Sequence, residues 1–464
     1  MTRRLPIPPA PGPLEPYCQQ FDPLFRQHNQ RDRFRRYLEG LLLPAERNKT
    51  LTALANTEPV VGAQHPHAQS LQWFLSESTW DAEAVNERRL AVLREDPVTA
   101  PTEQGVLVID EHGDRKWGSK TAHIGKQYLA NLGKIDTGVV SVTSLWADEH
   151  LYYPLHVEPY TPAHHFEQGK SDPKFRTKLA IAVELIQQAV DTGIPFRAVV
   201  ADCFYGEDHG VQQGIRELGK GYVLALKPSH AWWHPIDSIG SLQEAAEAAG
   251  WQSPEGPGAW GQIERVFRDG HTETWWALEV DMGPYGPDKP IRAVVATTDP
   301  ATLPEHGTWY LTTNLPAPGS ARSQEGTALP AADLAEIIRL YGLRNWVEQS
   351  YKQTKGALGW SDYQVRSDCA IRRHWTLVCC AFSFCWYHHS RASPGSDHPT
   401  ETDPAPSENA GGGKNRDHIT ASSAALVAGG APGGARVART LDHALALLAG
   451  MVNQAPATAA PAAP

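Results

Sequence analysis

The sequence predicts an α/β protein in which a helical segment precedes a mixed sheet and a second β-rich stretch interrupts the sheet's continuation. Three observations carry this. Helical signals dominate residues 21–104, whereas short apolar runs of strand length, separated by turn residues, begin at Gly105. Two of those runs, Gly105-Val-Leu-Val-Ile-Asp110 and Phe196-Arg-Ala-Val-Val-Ala-Asp202, end in an aspartate. Between residues 229 and 304 tryptophan, glycine and proline become frequent and alternating strands replace the helix–strand rhythm.

A chain of 464 residues can bury more than one core, so two or three domains are expected. With 41% hydrophobic and 20% charged residues the composition is that of an ordinary soluble protein. Cys18, Cys203, Cys369, Cys379, Cys380 and Cys385 form no CxxC pair, which argues against zinc and disulfides and fits a reducing cytoplasm. No signal peptide is expected, because Met1-Thr-Arg-Arg leads into prolines. The longest apolar run, Trp375 to Tyr387, is shorter than the roughly 20 residues of a membrane span. A net charge of −10 speaks against nucleic-acid binding. Charge is uneven, however: seven basic residues face three acidic ones from Arg26 to Lys49, and again from Arg339 to Arg373. Such islands can hold a DNA backbone.

Residues 1–20 are proline-rich and expected to be disordered or extended. Phe34, Tyr37, Leu38 and Leu41 then mark an amphipathic helix. Arg31, Arg33, Arg35 and Arg36 crowd it, which predicts either a DNA-facing helix or a solvated polar face. A helix carrying Leu71, Phe74 and Leu75 follows, and another opened by Ser78-Thr-Trp-Asp81 in capping-box spacing. Residues 21–104 are therefore expected as a helical DNA-binding domain, without a helix-turn-helix signature. Residues 105–228 are expected to form the first part of an α/β core. The run to Asp110, Thr137 to Trp146 and Leu151 to Glu158 make an antiparallel meander; the helix Phe175 to Val190, the run to Asp202, the helix Gln212 to Leu218 and the strand Tyr222 to Leu226 follow. After the β-rich insertion at 229–304, residues 305–390 complete the core with a strand at Trp309 to Asn314, a helix from Leu334 to Lys355 and the buried helix Trp375 to Tyr387. Residues 391–418 read as a flexible linker, and 419–464 as a short amphipathic segment, Val437 to Met451, with an Ala/Pro tail. Cys385, His388 and His389 lack a fourth metal ligand nearby and read as core packing. Gly411-Gly-Gly-Lys414 lacks the strand and the Ser/Thr of a P-loop.

The chemistry concentrates in the stretch Tyr341 to Lys355. At about 100° per residue, Tyr341, Arg344, Tyr351, Lys352 and Lys355 fall within roughly 60° of Glu348 on one helix face. The plain reading is a run of i,i+4 pairs, Arg344 to Glu348 to Lys352. The functional reading is a carboxylate that helps hold a metal ion against a nucleic-acid phosphate, which needs partner carboxylates. Asp110 and Asp202 supply them, although each alone could simply open a turn. Phosphoryl transfer on DNA calls for two divalent ions about 3.5–4 Å apart, and ions of the magnesium type prefer carboxylates, phosphate and water.

The spacing Tyr341-x2-Arg344-x3-Glu348-x6-Lys355 resembles the signature around the third catalytic acid of bacterial insertion-sequence transposases of the DDE type. Gly356-Ala-Leu-Gly359, Tyr363-Gln-Val-Arg366-Ser and Arg372-Arg-His374 resemble that family's continuation, and Tyr205-Gly206 after Asp202 matches its Asp-x-x-Tyr-Gly text. Lys116, Gly118, Gly125, Lys126, Gln127, Tyr128, Gly133 and Lys134 resemble its glycine- and lysine-studded segment, which implies that Lys116, Lys126 and Lys134 approach DNA. Cys203-Phe204 and Ile135-Asp136 depart from the usual Ser-Trp and Val-Asn, which touches substrate detail and not the acids. The resemblance runs from about residue 20 to 390.

It implies an RNase H-like core, whose element order the three strands, helix, strand, helix, strand reproduce. Asp110 and Asp202 would lie side by side at the carboxyl edge of the sheet, and the insertion would account for the separation of 146 positions from Asp202 to Glu348. It further implies a DNA transposase using two Mg2+ or Mn2+ ions held by Asp110, Asp202 and Glu348. Water activated at the two aspartates would cut at terminal inverted repeats, and the same site would direct the freed 3′-hydroxyl onto target DNA. Arg344 and Lys355 would steady phosphates, with Tyr351 and Lys352 beside them on the DNA-facing side, and Tyr341 would pack on a displaced strand or flipped base. A homo-oligomer on DNA is implied, because two ends must meet, acting on the cytoplasmic nucleoid. A stand-alone RNase H-like nuclease would lack inverted repeats beside its gene; a catalytically silent DNA-binding regulator would fail a nicking assay.

Overall fold

Helical periodicity before residue 100 resolves into α1 (Leu14–Gln19), α2 (His28–Leu42), α3 (Leu51–Leu54), α4 (Pro66–Ser76) and α5 (Ala82–Glu95). The computed structural model describes residues 12–44, 47–59, 61–233, 239–267, 270–324 and 328–392. The linker and terminal segment expected beyond residue 392 lie outside these residues, as do residues 1–11. The proline-rich start differs from expectation from Leu14 onward: α1 buries Leu14, Tyr17 and Cys18, and the Tyr17 hydroxyl donates to the Cys380 carbonyl at 2.9 Å. In α2 the predicted face, Phe34, Tyr37, Leu38 and Leu41, is buried. Helix α5 starts later than the capping-box reading placed it. Asp81 is its cap, accepting from the Glu83 amide, while the Ser78 hydroxyl is taken by the Gln30 side chain at 2.9 Å.

The strands that follow are β1 (Val106–Arg115), β2 (Gly125–Leu129), β3 (Lys134–Ala147) and β4 (Tyr152–Tyr160). Then come α6 (Lys178–Asp191), β5 (Ala198–Ala201), α7 (Cys203–Gly206), α8 (His209–Glu217) and β6 (Tyr222–Ala225). The interrupting stretch holds β7 (Ala231–Trp233), β8 (Ile239–Ser241), α9 (Leu242–Glu247), β9 (Gly261–Val266), β10 (Thr272–Val280) and β11 (Arg292–Thr297). The chain then runs through β12 (Thr308–Thr313), α10 (Ala321–Gln324), α11 (Leu334–Gly342), α12 (Asn345–Gly356) and α13 (Asp368–Ala392).

One mixed sheet organises these elements in the order β2-β3-β1-β5-β6-β12-β11-β10-β9, with β4 beside β3. β1, β5 and β6 run parallel, and the other ladders are antiparallel. Parallel strands need both faces covered, and β5 and β6 are buried at every position. This mixed α/β architecture, with an open sheet flanked by helices, is consistent with the RNase H-like fold. Strands β9 to β11 join the central sheet through β12, so the insertion extends it, with a smaller apolar cluster under α9 built on Leu242, Trp260, Trp276 and Tyr310.

The main core joins the N-terminal helices to this sheet through α13. That helix is apolar nearly all round, as its sequence predicts, and packs on α2, α4, α5 and β4. Polar pins fix its register. The Tyr37 hydroxyl stands 2.8 Å from His374 Nδ1, and Trp386 Nε1 donates to the Tyr152 carbonyl at 2.9 Å. The fully buried Arg89 guanidinium donates to Ser383 Oγ and the Leu155 carbonyl.

Candidate active site

β1 and β5 pair in parallel with Ile109 opposite Ala201, so the next residue on each strand is an aspartate. The two acids depart from that point differently. β5 stops, and Asp202 caps α7 by accepting from the Phe204 amide at 3.0 Å. β1 does not end at Asp110 as its apolar run suggested; it continues to Arg115, paired with β3. The residues after Asp110 read as a turn because they are polar, yet His112 and Asp114 are buried. Gly206 lets α7 close over the sheet, since a Cβ there would come within 1.9 Å of the Ala225 carbonyl oxygen.

The third acid arrives from a broken helix. The stretch Leu334 to Lys355 is two helices, with Arg344 at the junction in helical φ and ψ as the N-cap position of α12. Its guanidinium reaches all three carboxylates. Nη2 lies 3.3 Å from Asp110 Oδ2 and 3.9 Å from Asp202 Oδ2, and Nη1 lies 3.8 Å from Glu348 Oε1. The Arg344 side chain is 13% exposed, and its buried Nε has no partner among the described residues. Burial works against its charge, but the neighbouring acids and Tyr341 outweigh that and hold its pKa above the ordinary arginine value. Burial likewise pushes the Asp110 carboxyl up to about 7, against the pull of Arg344 and helped by the negative charge of Asp202. Glu348 is also raised by burial, with Arg344 opposing.

Among the described residues no three His, Cys, Asp or Glu side chains stand close enough together to hold one metal ion. The acids meet on the guanidinium, not on one another. Their chemistry still fits a divalent cation: hard carboxylate oxygens from three elements already surround one positive charge. The acids open onto a cavity of about 780 Å³, also lined by Trp309, Tyr341, Tyr351, Lys352 and Lys355.

The other expected residues divide into those at the cavity and those elsewhere. Lys355 is anchored, its Nζ lying 3.4 Å from Asp114 and 3.3 Å from the Gly113 carbonyl, and burial lowers its pKa. Asp114 also accepts from Ser361 and stands 3.1 Å from His112, which burial keeps neutral with a pKa near 4. This supporting layer was missed, although Asp110, His112 and Asp114 alternate in a way that puts them on one face of a strand. Tyr351 hydrogen-bonds Thr143 and lies over the His112 ring. Tyr341 is buried, its ring edge-on to Trp309 at 5.0 Å, so it is already packed by protein. Lys352 is exposed at the cavity mouth.

The arginine helix departs most from expectation. Arg35 is buried, bound to Glu15 at 2.7 Å and Asp22 at 2.8 Å, and has no face free for DNA. Arg31 donates to the Phe25 carbonyl at 3.0 Å, and Arg33 and Arg36 both pair with Asp32. Lys116 likewise turns inward: its Nζ donates to the Ser361 and Tyr363 carbonyls and sits 3.4 Å above the Tyr363 ring. Lys126 and Lys134 are exposed, Lys134 within 3.7 Å of Asp136.

Comparison with known proteins places these features in a family. Residues 20–274, which include both aspartates but not Glu348, match the family model described as DDE superfamily endonuclease. A protein of Microchaete diplosiphon described as a probable transposase for insertion sequence element IS701 is 32% identical over 369 residues. The match covers 79% of this chain and 85% of that protein.

Proposed function

Since the chain belongs to the DDE superfamily of endonucleases, which implies divalent metal use, and is a DNA transposase, we propose that Asp110, Asp202 and Glu348 are its catalytic acids. In this reading they hold two Mg2+ or Mn2+ ions, cut DNA at the terminal inverted repeats of an insertion sequence, and join the freed 3′-hydroxyls to target DNA. The observation that carries the proposal is the convergence of one guanidinium on three carboxylates supplied by β1, the end of β5 and α12. A surface ion pair does not gather three acids from distant parts of a chain, whereas a phosphoryl-transfer site needs such a gathering.

When bound, the metal would supply Lewis acidity that activates the attacking oxygen and neutralises charge on the leaving one. The chain's own residues do the positioning. Asp110 is tied by its Oδ1 to the Glu111 amide at 2.8 Å and Asp202 by its Oδ1 to α7, so each presents its other oxygen to the cavity. Arg344, whose Nε has no partner among the described residues, can offer a planar fork to a phosphate. Lys355, held by Asp114, adds a fixed positive charge, and Lys352 a mobile one at the entrance. Because both element ends must be processed together, the active species is a homo-oligomer on DNA. No described helix is long and apolar enough to cross a membrane.

The test is a nicking and strand-joining assay on a labelled element end, comparing wild type with Asp110→Asn, Asp202→Asn and Glu348→Gln. All three variants are expected to fail at both steps while remaining folded. A variant that still cuts removes its residue from the site.

A further inference from the structure

Beyond Asp110 the sheet narrows, because β5 ends while β1 continues against β3, whose other edge carries β4 and then β2. This narrowed part carries an unusual surface. Trp117, just past its end, is 79% exposed, and the Arg115 guanidinium lies over one face of its ring at 4.1 Å. Ile135, on the neighbouring strand, is 70% exposed. Lys126 and Lys134 are exposed on β2 and β3, and Lys120 on the loop; Asp136 is paired with both Arg115 and Lys134. An aromatic ring with one face free, an aliphatic neighbour and several cations form an amphipathic, positively charged surface. The arm is braced from below, since Lys116 and the Ala122 amide bond to the carbonyls of Ser361, Tyr363 and Arg366. Ala130 and Asn131, in the β2–β3 connection, line the cavity of the three acids, so arm and cleft are continuous.

We propose that this arm grips the sugar–phosphate backbone of duplex DNA on one side of the cleaved bond. The free face of Trp117 packs on deoxyribose, while Arg115, Lys126 and Lys134 bind phosphates. The inference rests on Asp110 marking the cleaved bond. From there the extended chain reaches Trp117 in at most about 24 Å, or about seven base pairs at 3.4 Å each. Position and charge together point to the occupant: the cationic surface is continuous with the cavity of the three acids, where a polyanionic duplex would enter.

The test is binding of the full chain to element-end duplexes by fluorescence anisotropy in Ca2+, with substrates trimmed in steps on either side of the cleaved bond. Trp117→Ala should weaken binding on the order of tenfold, as loss of an aromatic anchor does. That loss should vanish once the duplex on one side is shorter than about five base pairs. Arg115→Ala and Lys134→Ala should each flatten the salt dependence, log K against log[salt], by about 0.9. Val266→Ala, at a 69% exposed apolar position on β9, the opposite edge of the sheet from β2, serves as control and should change nothing. Unchanged affinity in Trp117→Ala, or a loss independent of duplex length on both sides, overturns the proposal. So does a variant that loses self-association without DNA yet binds DNA as wild type. Binding in Ca2+ does not depend on which residues catalyse, so an Asp110→Asn protein that still cut DNA would overturn the site assignment without touching the affinity result.

Discussion

Replacing Arg344 by glutamine removes the positive charge on which Asp110, Asp202 and Glu348 converge, and its consequence depends on whether a divalent cation is present. At separations of 3.3, 3.9 and 3.8 Å, each contact is worth about 4–5 kcal/mol at an effective dielectric of 20 before desolvation is counted. Desolvation of the guanidinium cancels much of that sum. Removing one partner of a buried ion pair costs about 3–5 kcal/mol in practice, because the remaining charges are stranded. A chain of this length unfolds with an entropy of roughly 1 kcal/mol/K, so the metal-free variant should melt about 4 °C below wild type. A cation entering the vacated centre restores the missing charge. At a hundred times its dissociation constant it adds about 2.7 kcal/mol, or roughly 3 °C. In wild type the same cation must first displace the guanidinium, so its stabilisation is smaller.

The assay is a set of melting curves for wild type, Arg344→Gln and Arg344→Lys over a MgCl2 titration, with nicking measured in parallel. Arg344→Lys keeps the charge and should melt within a degree or two of wild type, yet nick poorly, because an ammonium lacks the fork that grips a phosphate. An equal magnesium-induced shift in wild type and Arg344→Gln would refute the idea that guanidinium and cation share one place. A metal-free Arg344→Gln protein as stable as wild type would refute the electrostatic argument itself.

Three further outcomes follow from the same geometry. Asp110→Asn should abolish nicking and melt no lower than wild type without metal, since burial already disfavours that carboxylate's charge; a clear loss of stability would make it a structural residue. Arg35→Ala should destabilise by about 3–5 kcal/mol, by stranding Glu15 and Asp22, and leave the salt dependence of DNA binding unchanged; a flatter dependence would return it to the DNA surface. His374, its Nε2 facing the Gly359 carbonyl at 3.1 Å, is held neutral by burial with a pKa near 4. Its folded value lies below the unfolded one, so the stability it contributes is complete above about pH 6.5 and is lost as pH falls through about 4. Up to on the order of 3 kcal/mol is at stake. Urea midpoints at pH 7 and 4.5 should therefore differ less in His374→Gln than in wild type; an identical difference would remove this histidine from the acid limb.

Local chemistry explains which parts of the molecule were readable from the sequence and which were not. The parallel strands were legible because burial on both faces demands unbroken valine and alanine, as in Ala198–Ala201. Their ends were legible only where the backbone also ended. At Asp202 a cap follows and the reading holds; at Asp110 polarity changes but the strand does not, because Asp114 finds Lys355 and Ser361 under α12. Those partners lie some 240 residues away, and no local pattern announces them. The same distance effect hid the fate of the arginines. Arg35 is consumed by Glu15 and Asp22, residues in or beside a stretch whose prolines suggested no structure. Helical spacing does show which side chains share a face, but not whether that face meets solvent, protein or ligand.

The wheel drawn on Tyr341 to Lys355 met the same difficulty and yet reached the site, for a physical reason. Arg344 and Glu348 are one turn apart, so their approach survives the break between α11 and α12, which falls just before them. Tyr341 lies on the far side of that break, and it lines the cavity with its ring held against Trp309. A break near residue 343 therefore separates a lining residue held by protein from two charged groups left to respond to a ligand. In the proposed function this puts the adaptable part of the site on α12, with Arg344 exchanging three carboxylates for a phosphate while the sheet keeps Asp110 and Asp202 in place.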